Sequence, residues 1–410
     1  RFPSADNKMK VICILLLGIL CAVSAEDYPD AKRNFTEVCT AHGWRVETHN
    51  VTTADNYILT LFRIPGAANQ PLNPNKKVVF LQHGLLDCAD TWIMDLPDSP
   101  GFQFAEAGYD VWFGNSRGNY HSLGHVTLNP WKNLEYWNFT WQHMADYDIP
   151  AVIPYVLQTT GQKKLTYVGH SQGTLQMFAH LSSNQTFINN INIFIALAPV
   201  GTVRHIKIDF FFLIKKLPLF DMMNDLGIGC FLPYDNAPGL NYDFCELFSV
   251  VCDWVDYALA DLITGNDNDK MLPTIMAHEA GGTSVRNMQH WQQMTNYDVY
   301  KVQKYDFGDH DNEKIYGQKK PPVYNFAKIP GPIALFFGKD DRLADPTDGA
   351  WLRGVIPSSS IVYQEETYNF GHMTFVWGKN MTWFSNVIAL ANNYSSSTQE
   401  EISSPVLLSS

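Results

Sequence analysis

The sequence predicts an α/β fold with a mostly parallel central sheet, helices on both faces and an inserted cap or lid. Short apolar strand-like segments alternate with helical patterns over most of the chain. A glycine-histidine-serine-glutamine-glycine run, residues 169–173, directly follows one of these segments. No core strand is evident between residues 199 and 333, which indicates an insertion between two parts of one sheet.

Seven segments are typical of strands, because they alternate or form short buried runs rich in β-branched and aromatic residues. In chain order they are 57–64, 78–82, 110–113, 165–168, 193–197, 333–337 and 361–364. Helical patterns occupy intervals between them, for example 141–156 and 174–182. Strands joined through helices run parallel and are covered on both faces, which gives the expected layered arrangement.

The chain divides into five expected parts. These are a leader with signal peptide (1–25), the first part of the core (26–199), an inserted cap domain with a lid (200–328), the second part of the core (329–393) and a flexible tail (394–410). The signal peptide is indicated by the basic Met9-Lys10 start, the apolar run 11–23 and the small residues Ser24 and Ala25. We therefore expect a secreted or lysosomal protein.

The expected lid covers residues 206–240. Within 206–220, ten of fifteen residues are aliphatic or aromatic, including Phe210, Phe211 and Phe212. Such a segment is either a buried cap helix or a mobile lid whose apolar underside meets lipid when it opens. Both hypotheses remain open at this stage, since a lid is buried in one state and exposed in the other.

Composition excludes several classes of protein. The formal net charge of −12 argues against a nucleic-acid partner, which requires a basic face. Beyond the leader, no apolar run reaches the length of a transmembrane span. The thirteen histidines show no zinc-binding spacing and no glycine-rich phosphate loop follows a strand. We therefore expect neither a metal nor another cofactor.

Secretion bears on the cysteines and asparagines. Of the five cysteines beyond the leader, Cys245 and Cys252 are the favoured disulfide, and two unbonded buried thiols are the alternative. The pairing of Cys39, Cys88 and Cys230 stays open, and an odd count leaves at least one without a partner in the chain. Six sequons predict N-glycosylation at Asn34, Asn50, Asn138, Asn184, Asn380 and Asn393.

The pentapeptide at 169–173 predicts a nucleophile elbow, the strand–turn–helix that exposes a serine at the end of an α/β-hydrolase sheet. Serine acyl transfer also requires a histidine base and a carboxylate that orients it, in the chain order serine, acid, histidine. His372 follows the last predicted strand and is the expected base for Ser171. Asp341 is the expected acid, with Asp340 and Asp345 as competitors.

An oxyanion hole is indicated after the strand 78–82. His83 and Gly84 follow that strand directly, where the backbone turns back towards the nucleophile. The expected donors are the backbone N–H of Leu85 and that of Gln172, the residue after the serine.

The chain resembles the acid lipase family, the animal gastric and lysosomal acid lipases and their relatives. The resemblance spans nearly the whole chain from residue 28 to residue 390, and its cap motif, which includes Asn287 and Trp291, is more specific than the elbow. The matching stretches are 51–59, 82–86, 114–119, 147–151, 167–174, 280–291 and 343–346. It implies the α/β-hydrolase fold, the triad Ser171, Asp341 and His372, and the oxyanion donors Leu85 and Gln172, with no cofactor.

The implied activity is hydrolysis of carboxylic esters of neutral lipids, triacylglycerol or cholesteryl ester or both, at an oil–water or membrane interface. The residues 369–372 depart from the family by carrying Phe370 and Gly371 between Asn369 and His372. The lid matches poorly, so the acyl-chain and headgroup preferences do not carry over. A carboxylesterase of small soluble esters and a catalytically weak lipid-binding homologue are the alternatives. The oligomeric state is left open.

Overall fold

A computed structural model of the protein describes residues 28–208, 218–232 and 265–396. The expected signal peptide, the disulfide pair Cys245 and Cys252, and the three phenylalanines at 210–212 lie outside these described residues.

Eleven strands lie in the described part of the chain, and nine of them form one central sheet. They are β1 Trp44–Thr52, β2 Tyr57–Ala67, β3 Val78–Gln82, β4 Asp110–Gly114, β5 Gly124–His125, β6 Leu165–His170, β7 Ile191–Leu197, β8 Cys230–Phe231, β9 Thr283–Ser284, β10 Ile333–Phe336 and β11 Ile361–Glu365. The order across the sheet is β1-β2-β4-β3-β6-β7-β10-β11, with β5 paired to β2. Pairing is parallel from β4 to β11 and antiparallel at the β1–β2 end.

The helices follow the expected alternation with the strands. The α-helices of four or more residues in the described ranges are α1 Phe35–Ala41, α2 Pro100–Glu106, α3 Ile149–Thr160, α4 Gln172–Ser183, α5 Leu219–Asp225, α6 Leu272–His278, α7 Val285–Thr295, α8 Asp309–Tyr316, α9 Pro346–Val355, α10 Thr374–Trp377 and α11 Phe384–Ser396. A short helix Trp141–His143 and a π-turn Met144–Asp148 lead into α3.

The sheet separates two apolar layers, as expected of a sheet covered on both faces. Along β3, Val78 and Phe80 enter one layer, while Val79 and Leu81 enter the other. Successive side chains of a strand point to opposite faces, so a short strand made wholly of apolar residues has to be buried on both sides. All seven predicted strands are confirmed, with ends shifted by at most a few residues.

The edge strand β1 was not predicted. Its sequence is mostly polar, and only Trp44 and Val51 are buried. It is held instead by its antiparallel hydrogen bonds to β2. The turn between β1 and β2 contains Asn56, which has a φ of 73°. Asparagine tolerates this left-handed conformation, so the turn does not require glycine at residue 56.

The inserted segment packs on the core through several described elements. Strand β8 pairs with β9, which leads directly into α7. Helices α5 and α7 are linked through Gln289 of α7, whose side-chain amide accepts a hydrogen bond from Asn224 and donates one to Asp221. From α6, the ring of His278 reaches Asp90 of the core at 2.8 Å. The insertion is therefore joined to the sheet by buried polar contacts as well as by apolar packing.

The described residues of the expected lid are buried only in part. Ile208 and Phe220 belong to the apolar layer that contains Phe80 and fit the buried-cap hypothesis. Met222 and Leu226 are exposed and fit an apolar surface that meets lipid. Residues 209–217 and 233–240 lie outside the described chain. At the other end of the protein, the expected start of the flexible tail at residue 394 is wrong. Helix α11 continues to Ser396, because Ser395 donates a hydrogen bond to Ala391 and Tyr394 packs against the core.

A buried carboxyl between the core and the insertion predicts pH-dependent stability. Asp95 accepts a hydrogen bond from Asn268 at 2.7 Å, and burial raises its pKa from 3.8 to about 7. Because the folded-state pKa is the higher one, ionisation costs stability increasingly as the pH rises from about 4 to about 7. We expect Asp95→Asn to raise Tm at about pH 8 by at least about 2 °C more than at about pH 4.

Thermal unfolding of both proteins at the two pH values measures this difference. The comparison variant is Asp98→Asn, an exposed neighbour whose charge helps to raise the pKa of Asp95, so it should give a smaller shift of the same sign. An equal shift for Asp95→Asn at both pH values would contradict the assignment of a buried, proton-binding carboxyl.

Candidate active site

The predicted site residues lie at one edge of the sheet. Ser171 follows β6, His83 follows the adjacent strand β3, Asp341 follows β10, and His372 lies beyond the adjacent strand β11. These four strands run parallel, so their carboxyl ends meet at the same edge. Ligand and catalytic sites of open α/β sheets lie at this edge.

Ser171 occupies a strained turn between β6 and α4. Its φ of 52° and ψ of −120° are unusual for a residue with a side chain, and its N–H donates to Leu197 on β7 at 3.1 Å. A Cβ at Gly173 would lie 2.4 Å from the carbonyl oxygen of Gln82, so only glycine fits where α4 crosses β3. This is the strand–turn–helix geometry of a nucleophile elbow.

Ser171 is buried, although an exposed serine was expected. It is 2 % exposed, and the next residue, Gln172, is equally buried. The inserted segment accounts for this, because Asn287 and Trp291 of α7 donate hydrogen bonds to the side chain of Gln172. Exposure at the end of a strand was inferred from local geometry, and the packing of a distant segment decides it instead.

His372 and Asp341 form a buried pair. The Nδ1 atom of His372 lies 2.9 Å from Oδ2 and 3.1 Å from Oδ1 of Asp341. Oδ1 also accepts hydrogen bonds from the backbone N–H groups of Leu343 and Ala344, at 2.9 and 2.7 Å. The carboxylate is thus held by its own loop and directed at one nitrogen of the imidazole.

The two competing acids are placed differently. Asp340 is exposed. Asp345 caps helix α9 by accepting a hydrogen bond from the N–H of Thr347 and lies 2.6 Å from the ammonium group of Lys207. Among the three candidates, Asp341 is the one that the structure brings to His372.

The loop that carries His372 is held by the loop after β10 and by His170, the residue before the serine. The backbone N–H groups of Lys339 and Asp340 donate to Tyr368 and Phe370, so the loops after β10 and β11 are joined. Nε2 of His170 lies 2.9 Å from the carbonyl oxygen of His372 and donates to it. Burial lowers the pKa of His170 to about 3, so this ring stays neutral. It therefore orients the histidine loop without placing a positive charge beside it.

The loop after β3 is set by the ring of His83. Its Nε2 accepts a hydrogen bond from the N–H of Ser116, which leaves Nδ1–H to donate to the carbonyl of Gly84 at 2.9 Å. Burial lowers the pKa of His83 to about 4, which preserves this tautomer in weakly acidic solution. Because the C=O of Gly84 and the N–H of Leu85 belong to one trans peptide, holding the carbonyl directs the N–H the opposite way.

This loop lies against the nucleophile. A Cβ at Gly84 would lie 3.1 Å from Cβ and 3.6 Å from Oγ of Ser171. The carboxyl of Asp87 completes the turn by accepting from the N–H groups of Gly84 and Cys88, at 3.2 and 2.6 Å. Burial raises the pKa of Asp87 to about 7. The expected donors Leu85 and Gln172 thus lie in two turns that meet at the serine.

Within the described ranges, one group of side chains has spacing that a metal ion could use, namely Cys88, Asp90 and His121. The Asp90 carboxylate is already engaged by His121 at 2.7 Å and by His278 and Tyr120 at 2.8 Å each. These pairings lower the pKa of Asp90 despite its burial. The group is best explained as a polar network that connects the insertion to the core.

The modification sites can be compared with the surface. Cys39, Cys88 and Cys230 are free thiols, and the first two are buried. All six sequon asparagines are exposed: Asn34, Asn50, Asn138, Asn184, Asn380 and Asn393. In the part of the chain that the structure describes, no helix combines the length and hydrophobicity needed to cross a membrane.

Sequence reasoning missed the residues that support the site. In the sequence, His170 is visible only as the second residue of the pentapeptide, and His83 only as the residue before the turn glycine Gly84. Asn287 and Trp291 stood out only as part of a resemblance, and nothing local linked them to Gln172. Each depends on at least one contact with a residue remote in the chain, such as Ser116 for His83 and His372 for His170, for which local spacing carries no signal.

Comparisons with known proteins agree with this geometry. A family model described as a partial alpha/beta-hydrolase lipase region matches residues 35–96, and one for the alpha/beta hydrolase fold matches residues 77–199. A solved structure from Sulfolobus solfataricus covers 83% of this chain and 90% of its own, with a TM-score of 0.54 and 15% identity, which supports the fold alone.

Relatives of known name cover most of the chain. Lipase lipl-1 of Caenorhabditis elegans is 39% identical over 90% of this chain and 93% of its own. Gastric triacylglycerol lipase of Bos taurus is 39% identical over 85% of this chain and 88% of its own, and that of Homo sapiens is 38% identical over the same shares. With this similarity and this fold, the chain belongs to the acid lipase family and is a lipase of the α/β-hydrolase fold.

Proposed function

We propose that this lipase hydrolyses carboxylic esters of neutral lipids through an acyl-enzyme formed on Ser171, with His372 as base and Asp341 as the orienting acid. The observation that carries the proposal is the buried His372–Asp341 pair, 2.9 Å apart, at the same sheet edge as the strained elbow serine. A histidine paired to a carboxylate through Nδ1 has Nε2 available for proton transfer to and from substrate groups.

In the first step, His372 takes the proton of Ser171 as Oγ attacks the ester carbonyl. The developing oxyanion is stabilised by the N–H groups of Leu85 and Gln172. The Gly84 carbonyl is held by His83, so the Leu85 donor is oriented before substrate arrives and needs little reorganisation during the reaction. His372 then protonates the leaving alcohol.

In the second step, His372 activates a water molecule that attacks the acyl-enzyme. The fatty acid leaves and Ser171 regains its proton. The Asp341 carboxylate keeps the Nδ1 proton of His372 in place and balances the positive charge that the imidazole carries in each transition state. This sequence uses protein groups and water alone.

The substrate class follows from the family. The bovine and human relatives are named triacylglycerol lipases, and the resemblance to the acid lipase family implies cholesteryl esters as the alternative substrate. We propose triacylglycerol, cholesteryl ester or both as substrates. We also propose that the protein follows the secretory pathway and is glycosylated. The exposure of all six sequon asparagines supports glycosylation.

An apolar surface on the insertion supports action at a lipid interface. Met222, Leu226 and Ile228, in and after α5, are 56, 74 and 42 % exposed. The adjoining Gly229 packs against Leu134, which is itself half exposed. Exposed apolar side chains grouped in this way are typical of surfaces that meet a membrane or a lipid droplet.

A panel of esters tests the proposed substrate and interface. It runs from short soluble acyl esters to emulsified triolein and cholesteryl oleate, with initial rates measured across the solubility limit of a partly soluble ester. We expect the rate to rise when droplets appear, and the emulsions to be hydrolysed. Hydrolysis confined to dissolved short esters would favour the carboxylesterase alternative.

Leu226→Ser separates the interface from the chemistry. Removing a leucine that is buried on adsorption costs about 1.5–3 kcal/mol, so activity on triolein droplets should fall about ten-fold more than activity on a soluble ester. The control is Val362→Ser, an exposed apolar residue on the edge strand β11, which should affect both substrates equally. Equal losses for Leu226→Ser would show that the α5 surface does not bind the droplet.

A further inference from the structure

The side chain of Gln172 is held from two sides: its amide nitrogen donates to Sδ of Met144 in the core at 3.6 Å, and its oxygen is held by the inserted segment. Its carbonyl oxygen accepts two hydrogen bonds, from Nδ2 of Asn287 at 3.0 Å and from the indole N–H of Trp291 at 2.8 Å. An amide oxygen has two lone-pair sites, so these two donors satisfy it fully. All three side chains are essentially inaccessible to water.

Both donors come from one face of α7, since residues four apart on a helix lie above one another. Helix α7 is in turn fixed at this point. The side-chain oxygen of Asn287 accepts the N–H of Trp141 at 2.7 Å, and its own backbone N–H donates to Ser284 at 2.9 Å. Ser284 donates onward to the carbonyl of Phe139. Asn287 therefore ties the insertion to the core segment that precedes α3.

Gln172 is the first residue of α4, directly after the strained Ser171. The peptide that carries its N–H is held at one end through the Ser171 carbonyl, which accepts from the N–H and the hydroxyl of Thr174 at 2.9 and 2.6 Å. The other end of this peptide is the Cα of Gln172, and the side-chain anchor contributes to the direction of the N–H by holding that atom. A small error in an oxyanion donor is costly, because the donor has to point at the charge that develops in the transition state.

We propose that Asn287 and Trp291 are positioning residues for the oxyanion hole, so that helix α7 is a fixed part of the catalytic apparatus. The inference rests on the proposed role of the Gln172 N–H. It implies that the insertion contributes to the chemical step for every ester, whatever the length of its acyl chain, in addition to covering the site.

Trp291→Phe tests this, because it removes the indole N–H and keeps an aromatic ring in the core. We expect kcat to fall about ten-fold on both short and long esters with KM within about two-fold of wild type. A boronic acid inhibitor that forms a tetrahedral adduct on the serine should weaken in proportion to kcat. Gln172→Met, which removes the acceptor, should produce the same pattern.

Trp112→Phe is the matched control. Trp112 is equally buried, on β4, and its indole N–H has no hydrogen-bond partner among the described residues. It should lose packing, seen as a lower Tm, without the loss in kcat. A kcat for Trp291→Phe within about two-fold of wild type, or an equal loss for Trp112→Phe, would overturn the inference. A rise in KM at constant kcat would also overturn it, since that indicates a role in binding substrate.

The proposed function is tested separately by the activity of Ser171→Ala. If that variant is inactive while Trp291→Phe is unchanged, the triad stands and the positioning role fails. If Ser171→Ala retains activity, the proposed function itself fails, and the effect of Trp291→Phe would need another explanation.

Discussion

Replacing Ser171 with alanine should reduce ester hydrolysis by a factor of about 10⁴ to 10⁶ while the fold is retained. The substitution removes only the hydroxyl oxygen, and the hydrogen bond from the residue-171 N–H to Leu197 is a backbone contact that alanine keeps. Initial rates on a soluble ester measure the loss. Labelling with a fluorophosphonate, followed by peptide mass spectrometry, should modify Ser171 in the wild type and nothing at that position in the variant.

The matched control is Ser182→Ala in the last turn of the same helix. Ser182 is also buried, and its hydroxyl donates to the carbonyl of Ala179 at 2.9 Å. This variant should lose some stability and keep its activity. Retention of more than about a tenth of wild-type activity in folded Ser171→Ala would exclude the serine as nucleophile, since a true knockout costs far more.

Asp341→Asn should be the second most damaging change, with a loss in kcat of about 10⁴. The structure supplies the reason in detail. The N–H groups of Leu343 and Ala344 both donate to Oδ1, so the amide oxygen of asparagine is expected to take that position. Its NH₂ group then faces Nδ1 of His372 in place of Oδ2. Nδ1 is forced to accept, and the proton moves to Nε2, where the base is needed.

Asp345→Asn is the contrasting variant. Asparagine caps a helix as well as aspartate, so the bond to Thr347 can be kept. The lost charge pair with Lys207 matters little, because the lysine side chain is 64 % exposed and a screened pair of this kind contributes little. Rates and thermal unfolding of both variants provide the comparison. A greater loss of kcat in Asp345→Asn would move the orienting acid four residues along the chain.

Much of the fold could be predicted because short stretches of sequence specify its strands and its tightest turn. The runs 78–81 and 333–337 are apolar throughout, and a strand that short with two apolar faces has to lie inside a covered sheet. The tight elbow requires glycine at Gly173, so its chemistry is visible as a motif. Strand β1 escaped prediction because it is an edge strand held by its ladder, and its polar residues resemble a loop.

The candidate site could be predicted only in part, because only some of its features depend on short stretches of sequence. Ser171, Asp341 and His372 each follow a strand, and parallel strands bring their ends together once the sheet exists. Which of three neighbouring aspartates reaches the histidine depends on the path of one loop, where Asp341 turns inward and Asp340 stays exposed. Spacing in the sequence favoured Asp341, and the path of the loop brings its carboxylate to His372.

The sequence by itself therefore predicted seven strands of the sheet, the elbow, the chain order of the proposed triad and the family, because each depends on local chain geometry or on a string of residues. The tertiary structure alone decided that Ser171 is buried and that His83 and His170 are neutral supports. It also decided that Gln172 is anchored by Asn287 and Trp291. The contacts of Gln172 and His170 join residues more than a hundred positions apart, and the tautomer of His83 depends on Ser116, 33 positions away, so no local pattern specifies them.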